Sequence, residues 1–166
     1  MVSIKLKVDL PKGKFATKGW LNEIAGVQRQ TSVPRLRKLF QKTVFGWSTK
    51  PTFGWAQTRS ADTMTITMYP QGAGADIWEL VNEGSPAHVI RPSGRRFLSF
   101  RPGYRSATTV GSIQSRRAYR SGKYISAAKV NHPGFEGRKF TELIAEQYNN
   151  PFMNEMQSAI DSIAKK

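Results

Sequence analysis

Two histidines, eleven carboxylates and a large excess of arginine and lysine are the side chains from which this 166-residue chain could build chemistry. A zinc site could draw on His88, His132 and Glu83, but Glu83 and His88 flank a Gly-Ser-Pro turn, so turn hydrogen bonding is the expected role of both histidines. Serine, histidine and acid all occur without a Gly-x-Ser-x-Gly elbow, so no activated nucleophile is expected. Asp76 with Glu79, and Glu142 with Glu146, sit at helical spacing and suit solvated surface better than acid–base work. Gly13-Lys14 lacks the upstream glycine and following hydroxyl of a phosphate loop. No catalytic, metal or cofactor site is expected.

The cationic side chains carry more information. The formal charge is +15, and it is unevenly distributed. Residues 1–59 hold 12 bases and 2 acids, residues 60–90 hold 4 acids and no base, and residues 91–130 hold 10 bases and no acid. Arg91, Arg95, Arg96, Arg101, Arg105, Arg116, Arg117, Arg120 and Lys123 are the expected partner-binding residues. A surface of this kind attracts phosphate without sequence preference, and it can equally grip an acidic protein. The tryptophans and phenylalanines interleaved with arginine could stack bases, but their strand and helix spacings favour a core.

These side chains must be held by a fold. With no cysteine, disulfides and thiolate chemistry are excluded. No apolar run reaches the ~18–20 residues of a membrane span, so no membrane partner is expected. The alternating start, Val2, Ile4, Leu6 and Val8, reads as an edge strand ended by Pro11-Lys12-Gly13, not as a signal peptide. Trp20, Leu21, Ile24 and Val27, then Val33, Leu36, Leu39, Phe40 and Val44, predict one kinked helix or two consecutive helices over 17–45. Thr31 or Ser32 would cap the second at Pro34, and Phe45-Gly46-Trp47 would end it.

Phe53, Trp55 and Gln57 with Met64, Ile66 and Met68 predict a hairpin turning at Ser60-Ala61-Asp62. Residues 77–81 suit a third strand or a helical turn, and Phe97-Leu98-Ser99-Phe100 a fourth strand. Near the end, Phe140, Leu143, Ile144 and Tyr148 define one helix face, and Phe152, Met156, Ala159, Ile160 and Ile163 another, with a break at Pro151. The expected fold is α+β in one domain: a small antiparallel meander packed by N-terminal and C-terminal helices. Residues 101–130, poor in large aliphatics, would form a long basic loop, an arm anchored by Tyr104, Tyr119 and Tyr124 that orders on a partner.

The run Trp78-Glu79-Leu80-Val81-Asn82-Glu83-Gly84-Ser85-Pro86-Ala87-His88-Val89-Ile90-Arg91-Pro92, the following Leu98-Ser99-Phe100, and His132-Pro133-Gly134-Phe135-Glu136-Gly137-Arg138-Lys139-Phe140 together resemble the tail-completion family of long-tailed bacteriophages. Its members are also described as neck, head–tail joining or minor tail proteins. They share an E-G-T-x-x-H-x-I-x-P stretch, an L-x-F strand and an H-P-G turn with a basic-aromatic pair opening the last helix. Ser85 stands here in place of the threonine.

The resemblance implies that Glu83, Gly84, His88, His132, Pro133 and Gly134 are structural. It also implies a small sheet between a long N-terminal and a C-terminal helix, a six-fold homo-oligomeric ring at the head-proximal end of the tail, neighbouring neck and tail proteins as partners, and no catalysis. Such a protein would be made in the host cytoplasm and reside in the virion. A nonspecific DNA-binding protein using the same arginines is the alternative, with phage DNA as its partner.

Overall fold

Ile4, Leu6 and Val8 alternate with Lys5, Lys7 and Asp9, and in the computed structural model this alternation becomes strand β1 (Ile4–Asp9) with the apolar side chains buried. The structure describes residues 3–9, 18–60 and 63–165. The residues expected to end β1, Val2 before it and the Ala61-Asp62 part of the hairpin turn lie outside them, as do Gly13-Lys14 and the side chain of Tyr104.

β2 (Thr52–Arg59) and β3 (Thr63–Gln71) form the expected antiparallel hairpin, with Phe53 opposite Pro70 and Trp55 opposite Met68. β1 pairs with the far side of β3, placing Leu6 opposite Ile66, so the strand order is β1-β3-β2. The expected meander is corrected in this respect. The central strand is the last of the three in sequence, and with a neighbour on each side its Met64, Ile66 and Met68 are more fully covered than Ile4, Leu6 and Val8 of β1. Residues 98–100, the expected fourth strand, are extended but stay outside this sheet.

Residues 18–43 form one continuous helical path: α1 (Lys18–Val27), a wider π segment over Gln28–Ser32, and α2 (Val33–Thr43). Pro34 has no N–H and its ring would crowd the carbonyl one turn back. The π turn just before it, closed by Val33 N–H onto the Gln28 carbonyl, removes that conflict without breaking the helix. Ser32 therefore does not cap a second helix; it keeps helical backbone angles and turns its hydroxyl inward.

α3 (Ala75–Glu83) is the helical alternative for residues 77–81. α4 (Phe140–Ala164) runs unbroken through Pro151. Its buried residues Phe140, Ile144, Tyr148, Phe152, Met156, Ala159 and Ile163 recur every three or four positions as a single stripe, correcting the two faces expected.

The core lies between the sheet and these helices. Trp78 is fully buried among Phe40, Phe53 and Phe140, with ring centroids 5.5, 5.8 and 5.8 Å away, and its indole N–H donates to Thr43 Oγ1 at 2.8 Å. The π segment contributes a polar cluster at the edge of the core. The Glu155 side chain, 7% exposed, accepts from Ser32 Oγ at 2.7 Å, Tyr148 OH at 2.8 Å and Arg35 at 2.6 Å. Gln28, fully buried, accepts from Gln57 Nε2 at 2.6 Å.

Burial, and after it the hydrogen bond donated to Glu155, push the Tyr148 phenol well above its ordinary value. The neutral phenol is thus favoured by folding. The stabilisation is complete below the unfolded value of about 10 and declines as pH climbs beyond it. Urea midpoints measured between pH 8 and pH 11 are expected to fall above about pH 10 in the parent. They should fall less steeply in Tyr148→Phe, and equal slopes would assign the loss to lysines instead.

Candidate partner-binding surface

Between α3 and α4 the chain makes a long excursion, and its backbone is paired at intervals by four short ladders. It runs out through β4 (Gly84–Ser85), β5 (His88–Ile90), β6 (Leu98–Phe100) and β7 (Gly103–Arg105). It returns through β8 (Tyr119–Ser121), β9 (Ile125–Ala127), β10 (Val130–His132) and β11 (Phe135–Glu136). The pairs nest as β4–β11, β5–β10, β6–β9 and β7–β8, all antiparallel. The long basic loop expected at residues 101–130 is therefore a two-stranded ribbon with a tip at 106–118.

The tip is docked. Ser115 donates its N–H and hydroxyl to the Lys42 carbonyl, each at 3.2 Å, and accepts the Gly46 N–H at 2.9 Å. The Lys42 carbonyl belongs to the last turn of α2, where carbonyls lack helical partners, so the tip caps that helix end. Thr108 accepts from Arg138 Nε at 3.2 Å on the far side of the tip.

The base of the ribbon is built from Glu83, Gly84, His88, His132, Pro133 and Gly134, the residues expected to be structural. Gly84 ends α3 with φ +89°, and Gly134 has φ +81° with a position for Cβ only 2.3 Å from the Ser85 carbonyl oxygen. His88 and His132 are cross-strand partners with rings stacked 5.0 Å apart. His88 Nδ1 lies 2.9 Å from the Pro86 carbonyl and so carries the proton, whereas His132 Nδ1 accepts the Gly134 N–H at 3.0 Å and so carries none. Pro133 separates β10 from β11.

Glu83 is exposed and accepts from the Asn82 side chain at 2.9 Å. Among the described residues no group of three potential metal ligands occurs. Gly134→Val is expected to cost at least about 2 kcal/mol, because it combines backbone strain with a clash against backbone. A melting point within error of the parent would show that the ribbon base tolerates another path.

The nine expected partner-binding residues are all on this excursion and all exposed. They do not form one cluster. Residues 91–97 face only 128–129 across the ribbon, so Arg91, Arg95 and Arg96 ride on a bulge, with Arg96 5.3 Å from the Phe97 ring centre. Arg101 follows β6 and lies 4.7 Å from the Tyr124 ring centre. Arg105 ends β7, Arg116 and Arg117 are on the tip, Arg120 is in β8, and Lys123 follows it in the turn. Among the described residues, none of Arg91, Arg95, Arg105, Arg116, Arg117 and Lys123 is paired with a carboxylate.

Apolar side chains share this surface. Val89, Ile90, Phe97, Val110, Tyr119, Tyr124 and Ile125 are all exposed, with Tyr119 at 61% and Tyr124 at 68%. Ile90, Leu98, Phe100, Tyr124 and Val130 line a groove of about 490 Å³, rimmed by Arg101 and Arg120. A second cleft, about 260 Å³, lies between α3 and the tip and is lined by Trp47, Ile77, Val81, Ala107 and Ala118.

Two residues central to this arrangement carry no signal in the sequence. Ser115 is one of many serines in a polar stretch. Asn82, buried at the end of α3, accepts the Thr141 N–H at its Oδ1 (3.1 Å) and the Lys139 N–H at its carbonyl (3.1 Å), seating the start of α4. A polar residue just before Gly84 in a helical pattern was the one available hint. Compared with family models, curated proteins and solved structures, the chain finds no match.

Proposed function

We propose that this chain is a structural virion protein of the bacteriophage head–tail interface, a tail-completion or neck protein that assembles as a ring and joins the tail to the head. The observation that carries the reading is the ribbon surface. Exposed aromatic and aliphatic side chains are interleaved there with Arg91, Arg95, Arg105, Arg116, Arg117 and Lys123, which have no carboxylate partner among the described residues, on a two-stranded element that is marginal in water by itself. Such a surface is completed by a neighbour, and in a closed ring each neighbour contact joins two different patches. The tail-completion-like residues support the same reading: they sit at the joints that launch and return the ribbon. The partners are further copies of the chain and the adjoining neck and tail proteins, with assembly in the host cytoplasm and residence in the virion.

A stop codon in this gene tests the reading. Lysates are expected to accumulate separate heads and tails, and the chain is expected to co-sediment with intact particles at a fixed copy number. Normal particles from the stopped gene would overturn it.

The unpaired arginines favour one second reading, nonspecific DNA binding. Retention of duplex DNA at physiological salt, with log affinity falling linearly in log salt, would support that alternative.

A further inference from the structure

An acidic, partly apolar surface would complement the ribbon, and this chain presents one. α4 has 25 residues, among them four acids and not one lysine or arginine. Of the four, Glu155 is used within the fold, Glu142 lies 3.7 Å from Lys139 in an exposed pair, and Asp161 accepts from Gln157, which leaves all but Glu155 at the surface. The rest of the helix packs its buried stripe on α1, α2 and β1 and leaves the opposite side open. On that open side Glu142, Glu146, Asn149, Met153 and Gln157 follow one another at three- and four-residue spacing, and all are exposed. Met153 is 57% exposed, a large flexible apolar side chain standing on an acidic helix face.

We infer that the acidic outer face of α4 in one copy seats in the ribbon groove of the next copy, with Met153 entering the groove and Glu142 and Glu146 meeting its arginine rim. This deepens the ring reading and rests on it. The groove has an apolar floor (Leu98, Phe100, Val130), the exposed Tyr124 ring at its edge and Arg101 stacked on that ring, with no acid anywhere from Gly84 to Phe135.

Two other self-contacts are disfavoured. Ribbon against ribbon would oppose two surfaces of like charge. The outer side of α3 is also acidic, but its Ile77 and Val81 already face the tip of their own ribbon across the Trp47 cleft. A contact of α4 with the ribbon joins two different patches, so it propagates from copy to copy and can close a ring. It also places the acids of one copy against the cations of another, which a protein of charge +15 needs before copies can approach.

The absence of native cysteine makes a direct test available. Full-length protein carrying both Met153→Cys and Tyr124→Cys is concentrated to about the millimolar range, where weak contacts of this kind populate, and treated with a short bismaleimide. A ladder of covalent oligomers is expected on a denaturing gel, whereas each single variant should stop at dimer. Adding Glu142→Lys and Glu146→Lys, both at exposed positions, should abolish the ladder while leaving the protein folded, with a small fall in melting point because Glu142 stands in the first turn of α4 beside Lys139. Oligomers seen by light scattering without a ladder would overturn the α4–ribbon contact and leave the ring reading standing. A ladder that survives the charge reversal would overturn the inference too, as would a protein that stays monomeric and unlinked. The ring reading is then judged separately by whether the chain co-sediments with particles.

Discussion

Trp78→Ala is expected to lower stability by about 5 kcal/mol, seen as a fall of roughly 10–20 °C in melting point. The indole is fully buried and touches rings from three separate elements: Phe40 of α2, Phe53 of β2 and Phe140 of α4. Removing it opens a cavity that helices and sheet cannot close together, because each is held by its own backbone ladder. The loss should also loosen the ribbon, since α3, which carries Trp78, leads directly into β4. Trp78→Phe keeps most of the ring contact and loses the hydrogen bond to Thr43, so a cost of about 1–2 kcal/mol is expected. Calorimetry of the two variants separates packing from hydrogen bonding. An alanine variant melting with the parent would mean that the aromatic cluster is not the core.

Glu155→Ala carries the second largest expected effect, about 3 kcal/mol. The carboxylate gathers a hydroxyl from the π segment, a phenol from its own helix and a guanidinium from α2. Truncation strands the Ser32 hydroxyl in a nearly dry site and leaves the Tyr148 hydroxyl only its longer bond to the Ser32 carbonyl at 3.3 Å, while Arg35, largely exposed, returns to water. Glu155→Gln keeps the volume and one carbonyl acceptor and should cost markedly less. Urea titrations at constant m-value report the difference. Equal effects in the two variants would show that charge, not hydrogen-bond acceptance, holds the π segment against α4.

Both residues sit in sequence contexts that understate them. Trp78 stands in a stretch readable as strand or helix, and only the closing of α3 against Phe40 and Phe140 decides its place. Glu155 has the spacing of a solvated surface acid. Its partner Ser32 is 123 positions away, and the hydroxyl turns inward only because Pro34 forces a π turn ahead of it. No local pattern encodes that rotation.

Local order was determined by the sequence itself. Strict alternation at Ile4–Val8 and Met64–Met68 can bury one face only as strand, and three- and four-residue spacing along 140–163 can do so only as helix. Gly84 and Gly134 stand where positive φ is needed, at a helix end and in a turn whose next atom is a backbone oxygen. The charge segregation of residues 91–130, ten bases and no acid, is likewise a property of composition.

Tertiary structure decided the rest. The strand order β1-β3-β2 depends on β1 pairing with the distant β3 and not with β2, its neighbour in sequence, a choice no local pattern encodes. The change from expected loop to ribbon depends on pairing across as many as 52 positions (Gly84 with Glu136), between segments of two or three residues, too short to set up an apolar period. An arginine-rich stretch reads the same in a loop and in a solvated ribbon, because its side chains are exposed in both. What separates the two is the backbone: its hydrogen bonds close from Gly84 to Glu136 and from Tyr104 to Arg120, and the tip adds the free end of α2 as one more acceptor through Ser115.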